Sequence, residues 1–227
     1  MEKVWKEIFG DFIAVDNVPT GAYPYAPIFR RIGTLSIGRQ VFYSPRRVYS
    51  DVNVQYYRLR GEGKDVRRVV FLSKGEPTLD LNLGREADAL RAAGFSPEIL
   101  TCGAMLWRED VREDLSRFDR VILDLVAASE EVWREVMRPH PLLRFSSVME
   151  GIRTFAREYG GRLDVLIRVV DGVPYYSEGP ALRDFLTEIG IKRVFVVSQG
   201  ANSSLLLPHL RGGDFEVIQA DFQRYRQ

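Results

Sequence analysis

One cysteine, two histidines and no long apolar run set the first limits on what this chain can do. Cys102 alone excludes an intramolecular disulfide and any centre held by several thiolates of the chain. His140 ("RPHP") and His209 ("LPHL") lie far apart beside prolines, which gives a histidine-based metal site little to start from, so no protein-built metal centre is expected. No stretch approaches the roughly 18 apolar residues that span a bilayer, and no membrane partner is expected. The opening "MEKVWKEIFGDFIAV" mixes acidic residues among its lysines and lacks a small-residue cleavage site, so it does not read as a signal peptide. The expected compartment is the cytoplasm. Asn and Gln are sparse and Arg far outnumbers Lys, a composition that points toward a hot habitat.

What is present fits a globular α/β protein. Hydrophobic residues make up 45% and charged residues 28% of 227 positions, enough to bury one sizeable core without dividing. The net charge of +1 is unevenly spread: between Tyr23 and Arg68 ten Lys/Arg face three Asp/Glu, a surplus of seven positive charges.

Residues 2–9 read as a short helix, and "VPTGAYPYAPIFRRIG" as a loop, because Pro and Gly interrupt it too often for regular structure. "TLSIGRQVFY" and "VNVQYYRL" alternate like strands, "RGEGKD" reads as a turn, and "VRRVVFLS" returns as the partner strand of a hairpin. From Val69 onward short apolar runs ("VVFLS", "PEILT", "RVILDLV", "LDVLIRVV", "KRVFVVS") alternate with amphipathic segments, the signature of βα units and a parallel sheet. Ser147 with Glu150 reads as a capping box, and Val148, Met149, Ile152, Phe155, Ala156 and Tyr159 share one helical face. Leu182, Phe185, Leu186 and Ile189 repeat that pattern, and the last thirty or so residues add a helical turn and a closing strand. The expected organisation is an N-terminal extension (1–22) followed by one domain (23–227). That domain divides into a basic and aromatic region (23–68), a βα core (69–200) and a closing segment (201–227).

In a barrel or part-barrel the functional groups lie at the C-terminal ends of the strands. Those ends carry Ser73, Lys74, Gly75, Glu76 and Pro77, then Thr101, Cys102 and Gly103, then Asp124, Arg168, and finally Ser198, Gln199 and Gly200, and they should converge on one mouth. In "SKGEPTLD", Gly75 would let a ligand approach the main chain and Glu76 offers a carboxylate; the stretch also suits a plain polar turn. Asp124 lies in apolar "VILDLVA" and needs a partner, with Lys74 or Arg168 as candidates, for a structural ion pair or for a site. Cys102, with no histidine near in sequence, reads as an inert core thiol.

The ordered series "FLSKGEPTLDLNLG", "LTCGAMLWREDVREDL", "SEEVWREVMRPHP" and "VMEGIRTFAREYGGRLDVLIRVVDGV" resembles radical S-adenosylmethionine enzymes, in particular the archaeal branch related to wybutosine synthesis on tRNA. The resemblance runs from about Arg30, where "FRRIGTLSIG" looks like that branch's Arg-Arg-x-Gly opening, to about Ser198. It implies a partial (β/α)6 TIM-like barrel and a Gly75-Glu76-Pro77 motif cradling the methionine amino group of the cofactor. It also implies CxxxCxxC after the first strand, and aligning "YSDVNVQYYRL" there puts Tyr49, Asn53 and Tyr56 at the cysteine positions. Phenol and amide cannot replace thiolates, so no iron-sulfur cluster and no radical chemistry are expected. The short link from Tyr56 to Val69 predicts that a β-hairpin replaces the first crossover helix. Lys74 stands where the family has a small residue, and either reaches into the space left by cluster or cofactor or is simply solvated.

The expected function is that of a non-catalytic pseudoenzyme which binds RNA (tRNA or rRNA, not DNA) or a protein partner. Arg30, Arg31, Arg39, Arg46, Arg47, Arg58 and Arg60, interleaved with Tyr43, Tyr49, Tyr56 and Tyr57, supply groups that pair with phosphates and stack on unpaired bases. The alternative is an S-adenosylmethionine-binding enzyme of non-radical chemistry, with Asp124, Arg168 or Glu76 as acid, base or anchor. S-adenosylmethionine is the one cofactor the resemblance leaves open.

Overall fold

The computed structural model describes residues 2–198 and 203–221. In chain order come α1 (Glu2–Phe9), β1 (Ile13–Val15), β2 (Ala22–Tyr23), β3 (Thr34–Leu35), α2 (Pro45–Gly61), β4 (Arg68–Phe71), α3 (Leu83–Ala92), β5 (Ser96–Thr101), α4 (Glu109–Leu115), β6 (Arg120–Leu125), α5 (Glu130–Met137), α6 (Phe145–Tyr159), β7 (Leu163–Val169), α7 (Tyr175–Glu188), β8 (Arg193–Ser198), α8 (Leu207–Leu210) and β9 (Glu216–Asp221). Seven strands form one sheet in the order β1-β4-β5-β6-β7-β8-β9, every neighbouring pair parallel. The two-residue strands β2 and β3 pair with each other outside it.

Strand periodicity sends alternate side chains to opposite faces, and the sheet accordingly separates two apolar clusters. Val69, Phe71, Ile99, Val121, Leu123, Val165, Ile167, Val194 and Val196 face the layer of crossover helices. Val70, Ile122, Leu166, Phe195, Val197 and Ala220 face the other way, onto Val4, Ile8 and Phe9 of α1. Burying those three α1 side chains contributes on the order of 5 kcal/mol. The last carbonyls of α1 are met by strand arginines: Arg68 Nη1 donates to the Phe9 carbonyl and Arg120 Nη1 to that of Ile8, a favourable place for cations at a helix C-terminus. The same arginines, with Arg193, neutralise the buried Glu98 and Asp164 through Arg68–Glu98 (2.7 Å), Arg120–Asp164 (2.6 Å) and Arg193–Asp164 (2.8 Å).

The α/β class and the parallel sheet match the sequence expectation; the hairpin does not exist. Residues 45–61 form α2, a full crossover helix between β1 and β4. Ser44 caps it by accepting from Arg47 N, Pro45 sits in its first turn, and Val48, Val52 and Tyr56, four apart, are its buried face. Aromatic and β-branched residues had suggested a strand there, but the Ser-Pro start and the four-residue spacing prevail. The link from Tyr56 to Val69 looked too short because the first strand is β1, thirty residues before α2, inside the segment expected to be an extension. The expected strand "TLSIGRQVFY" is reduced to Thr34–Leu35. No Ser147 capping box forms either: α6 starts at Phe145 with Arg144 at its N-cap, which puts Ser147 inside the first turn.

Under the loop between β3 and α2 lies a pair of buried acids. Glu86 on α3 is pushed up to about 9 by burial and by the nearby Asp80 charge, against a hydrogen bond from Asn17. Asp80, also lifted by burial, stands at about 6. Because both folded values exceed the unfolded ones, the stability they contribute is fully present below pH ~4 and is lost as pH rises through the folded values. Urea midpoints should therefore fall between pH 5 and 9, with a slope approaching ~1.4 kcal/mol per pH unit. Glu86→Gln should flatten that fall; an unchanged slope in the variant would contradict it.

Candidate functional site

The C-terminal ends of β4, β5, β6 and β7 open into a cavity of about 560 Å³. Its walls carry Ser73, Lys74, Gly75, Glu76, Pro77, Thr101, Cys102, Asp124 and Arg168, as expected from the strand ends, together with Trp5, Tyr23, Phe29 and Arg30. Ser198 closes β8 opposite Val169 and is not among the lining residues. Gln199 and Gly200 lie outside the described residues.

Glu76 is a hub rather than a free anchor. At 1% exposure its Oε1 accepts from Thr78 N (3.2 Å), Thr78 Oγ1 (2.7 Å) and Thr101 Oγ1 (2.6 Å), and Oε2 accepts from Cys102 N (3.0 Å). Gly75 is needed, but not for ligand access: a Cβ there would overlap Val18 and the Ala22 carbonyl. The N–H groups of Gly75 and Glu76 donate to the Val18 and Ala22 carbonyls (3.1 and 2.8 Å). The turn after β4 thus holds the chain's own segment 18–22 where the sequence had suggested a ligand.

That segment begins a long connection from β1 to α2 whose path is set by main-chain bonds. Gly33 N donates to Gly21 O, Ser36 N to Tyr23 O, Ala26 N to Arg138 O, Ile28 N to Val136 O and His140 N to Pro24 O. At the Gly33 crossing a side chain would collide with the Thr20 carbonyl. The connection follows the first strand, so it occupies the place where the cluster motif was expected. Tyr49, Asn53 and Tyr56 do not: they ride on α2 away from the cavity, and Tyr56 packs on Phe95 and donates its hydroxyl to Asp65 (2.9 Å). Within the connection itself, Tyr23, Pro27 and Arg30 have the same four-then-three spacing, and Tyr23 and Arg30 line the cavity.

Arg30 Nη2 donates to the carbonyl of Lys74 and, at 3.5 Å, to that of Ser73, and its guanidinium lies 4.6 Å from the Tyr23 ring centroid. Across the cavity Asp124 takes Arg168 as its partner at 2.6 Å. Burial opposes the Arg168 charge, yet Asp124 holds its pKa above the ordinary value. The pair is incompletely satisfied, since Asp124 Oδ1 and Arg168 Nε are buried without a hydrogen bond. Tyr23 and Cys102 are both raised well above their ordinary values, first by burial and then by neighbouring negative groups including Glu76, which leaves Cys102 a thiol. Lys74 is exposed and lies 3.9 Å from Asp16.

The basic residues divide. Arg39 is buried, paired with Asp110 (2.7 Å) and Asp114, and Arg60 donates to Tyr56 (2.8 Å); neither Arg39 nor Tyr56 stands free for a phosphate or a base. Arg31, Arg46, Arg47 and Arg58 are exposed and Tyr49 is half-buried. Trp5, Tyr23 and Phe29 were missed as site residues, and the signal available for the last two was a run of aromatics in a Pro-rich loop.

No family model matches the chain. A UPF0026 protein of Methanocaldococcus jannaschii is 30% identical over 191 residues, 82% of this chain and 59% of the relative, so the chain spans about three-fifths of that relative's length. A UPF0026 protein of Synechocystis sp. is 29% identical over 107 residues, 47% of this chain and 40% of the relative. Among solved structures, archaeal TYW1 superposes with a TM-score of 0.66 at 13% identity, over 92% of this chain and 75% of that one. A radical SAM methyltransferase from Sphaerobacter thermophilus gives 0.66 at 14%, over 92% and 66%. SuiB of Streptococcus suis, solved bound to S-adenosylmethionine, gives 0.62 at 15%, over 92% and 46%.

The fold is that of radical S-adenosylmethionine proteins. In this radical-SAM fold the cavity lies at the ends of the central strands, and the buried Asp124–Arg168 ion pair in its wall joins neighbouring strands β6 and β7. Removing one partner of such a pair strands the other charge, so Asp124→Leu or Arg168→Met alone should cost roughly 3–5 kcal/mol. The double variant should recover most of that loss in urea unfolding. Additive losses in the double variant would show that the two do not act as a pair.

Proposed function

We propose that the chain is a binding protein that takes a nucleoside-type small molecule in the strand-end cavity and performs no radical chemistry. The observation that carries this reading is the Asp124–Arg168 pair. A buried pair made through one hydrogen bond, with an unpartnered polar atom on each side, is poorly suited to stabilising a fold, and unsatisfied groups of this kind point to function. The aromatic rings of Tyr23 and Phe29 beside Asp124 and Arg168 supply stacking and hydrogen bonding of the sort a base and ribose need.

S-adenosylmethionine, which SuiB is described as binding, suits these walls only in part. Its nucleoside half matches the rings and polar groups. Its methionine half finds the turn after β4 already committed: Gly75 and Glu76 N–H bond to segment 18–22, and the Ser73 and Lys74 carbonyls accept from Arg30. A single cysteine cannot supply three thiolates, and the residues at the motif spacing in the connection, Tyr23, Pro27 and Arg30, bring none. With neither a cluster nor a free nucleophile derived from these residues, the chemistry assigned to the site is binding and orientation.

Titration calorimetry with adenosine should give saturable heat that is lost in the Asp124→Leu/Arg168→Met double variant. Protein reconstituted anaerobically with iron, sulfide and a reductant should release no 5′-deoxyadenosine from S-adenosylmethionine. Release of that product, or a flat titration with adenosine and with its 5′-substituted forms alike, would overturn the reading.

A second reading is RNA binding by the outer face of α2. Exposed Arg46, Arg47 and Arg58 lie within the most basic stretch of the chain, and Arg47 stacks on Tyr43 at 4.5 Å. It predicts retention of tRNA or rRNA on filters at low ionic strength that weakens steeply with salt. Retention unaffected by replacing those three arginines with Gln would remove it.

A further inference from the structure

Arg30 is the cation of the cavity wall that meets no carboxylate among the described residues. Its described partners are two main-chain carbonyls and the face of Tyr23, none of them a carboxylate. The acids nearby are spoken for: Glu76 accepts from four donors and Asp124 pairs with Arg168. Lys74, at the rim of the same cavity, adds a second positive group only loosely screened by Asp16. The end of β4 therefore presents positive charge to the cavity, with its carbonyls already used as acceptors. A ligand ammonium or sulfonium placed there meets like charge, whereas an anion meets a planar donor set suited to bind it.

Resting on the nucleoside reading above, we infer that the ligand is a nucleoside carrying an anion at its 5′ end, a phosphate or a carboxylate, and that Arg30 is the residue that selects it. The rings of Tyr23 and Phe29 and the Asp124–Arg168 pair hold the nucleoside, and Arg30 with Lys74 faces the anion. S-adenosylmethionine brings a sulfonium and an ammonium along with its carboxylate, so the two positive charges beside Arg30 and Lys74 set it at a disadvantage against a plain anion.

The test titrates the protein with adenosine, adenosine 5′-monophosphate, adenosine 5′-carboxylic acid and S-adenosylmethionine at low salt. At least one of the two anions should bind about tenfold or more tighter than adenosine, and the gap should close as ionic strength rises. Which anion wins identifies phosphate or carboxylate. Arg30→Gln should shrink the anion-to-adenosine affinity ratio to within about twofold, and Arg30→Lys should keep most of that ratio. Since Arg30 also bonds the Ser73 and Lys74 carbonyls, thermal unfolding of both variants checks that the wall is intact, and the anion-to-adenosine ratio in Arg30→Lys decides the matter if Arg30→Gln is unfolded. Adenosine binding without an anion preference, or tighter binding of S-adenosylmethionine than of both anions, overturns the inference and leaves the nucleoside reading standing. If neither adenosine nor its anions bind, the nucleoside reading itself falls.

Discussion

A carboxylate shut away from water must find donors or lose its charge. Glu76 finds four, and their positions organise the top of the sheet: two come from Thr78 just beyond the turn after β4, one from the Thr101 side chain that ends β5, and one from the main chain of Cys102. The turn so fixed offers its own N–H groups to segment 18–22 and brings the connection after β1 against the strand ends. The mouth of the cavity, the placement of Tyr23 and the reach of Arg30 over the β4 carbonyls all follow from that anchored turn.

The opposite end of the sheet solves a different problem. Parallel strands need cover on both faces, and here the crossover helices supply one side while Val4, Ile8 and Phe9 of α1, with Phe12 just beyond it, cover the other. The charges at that end are paired across strands, with Arg68 and Arg120 each serving both an acid and a carbonyl of α1. The charged network and the apolar plug thus hold the same helix, whose Trp5 reaches the cavity above.

The sequence made β4 through β8 legible because strands buried on both faces read as short apolar runs, and the ends of those runs named most of the cavity wall. What it hid was set by distant partners. β1 is three residues long and is recognisable only through its pairing with β4. Helix α2 was obscured by the local preference of Val and Tyr for extended chain, although Ser44, Pro45 and the spacing of Val48, Val52 and Tyr56 carried the opposite message. That error displaced the expected cluster positions onto a helix and put Arg30 on a nucleic-acid surface instead of in the cavity. The role of Gly75 was inverted for a similar reason: a glycine signals close approach, and only the fold tells whether the approaching group is a ligand or, as here, Val18 and Ala22.

The connection between β1 and α2 is tied down by peptide groups, from Gly21 and Gly33 to Arg138 and Val136, as well as by side chains such as Asn17 and Arg39. The main-chain ties hold whichever side chain a neighbouring position displays. Part of the trace therefore does not depend on what the cavity-lining positions carry, and the chemical character of this wall can drift further than the architecture does.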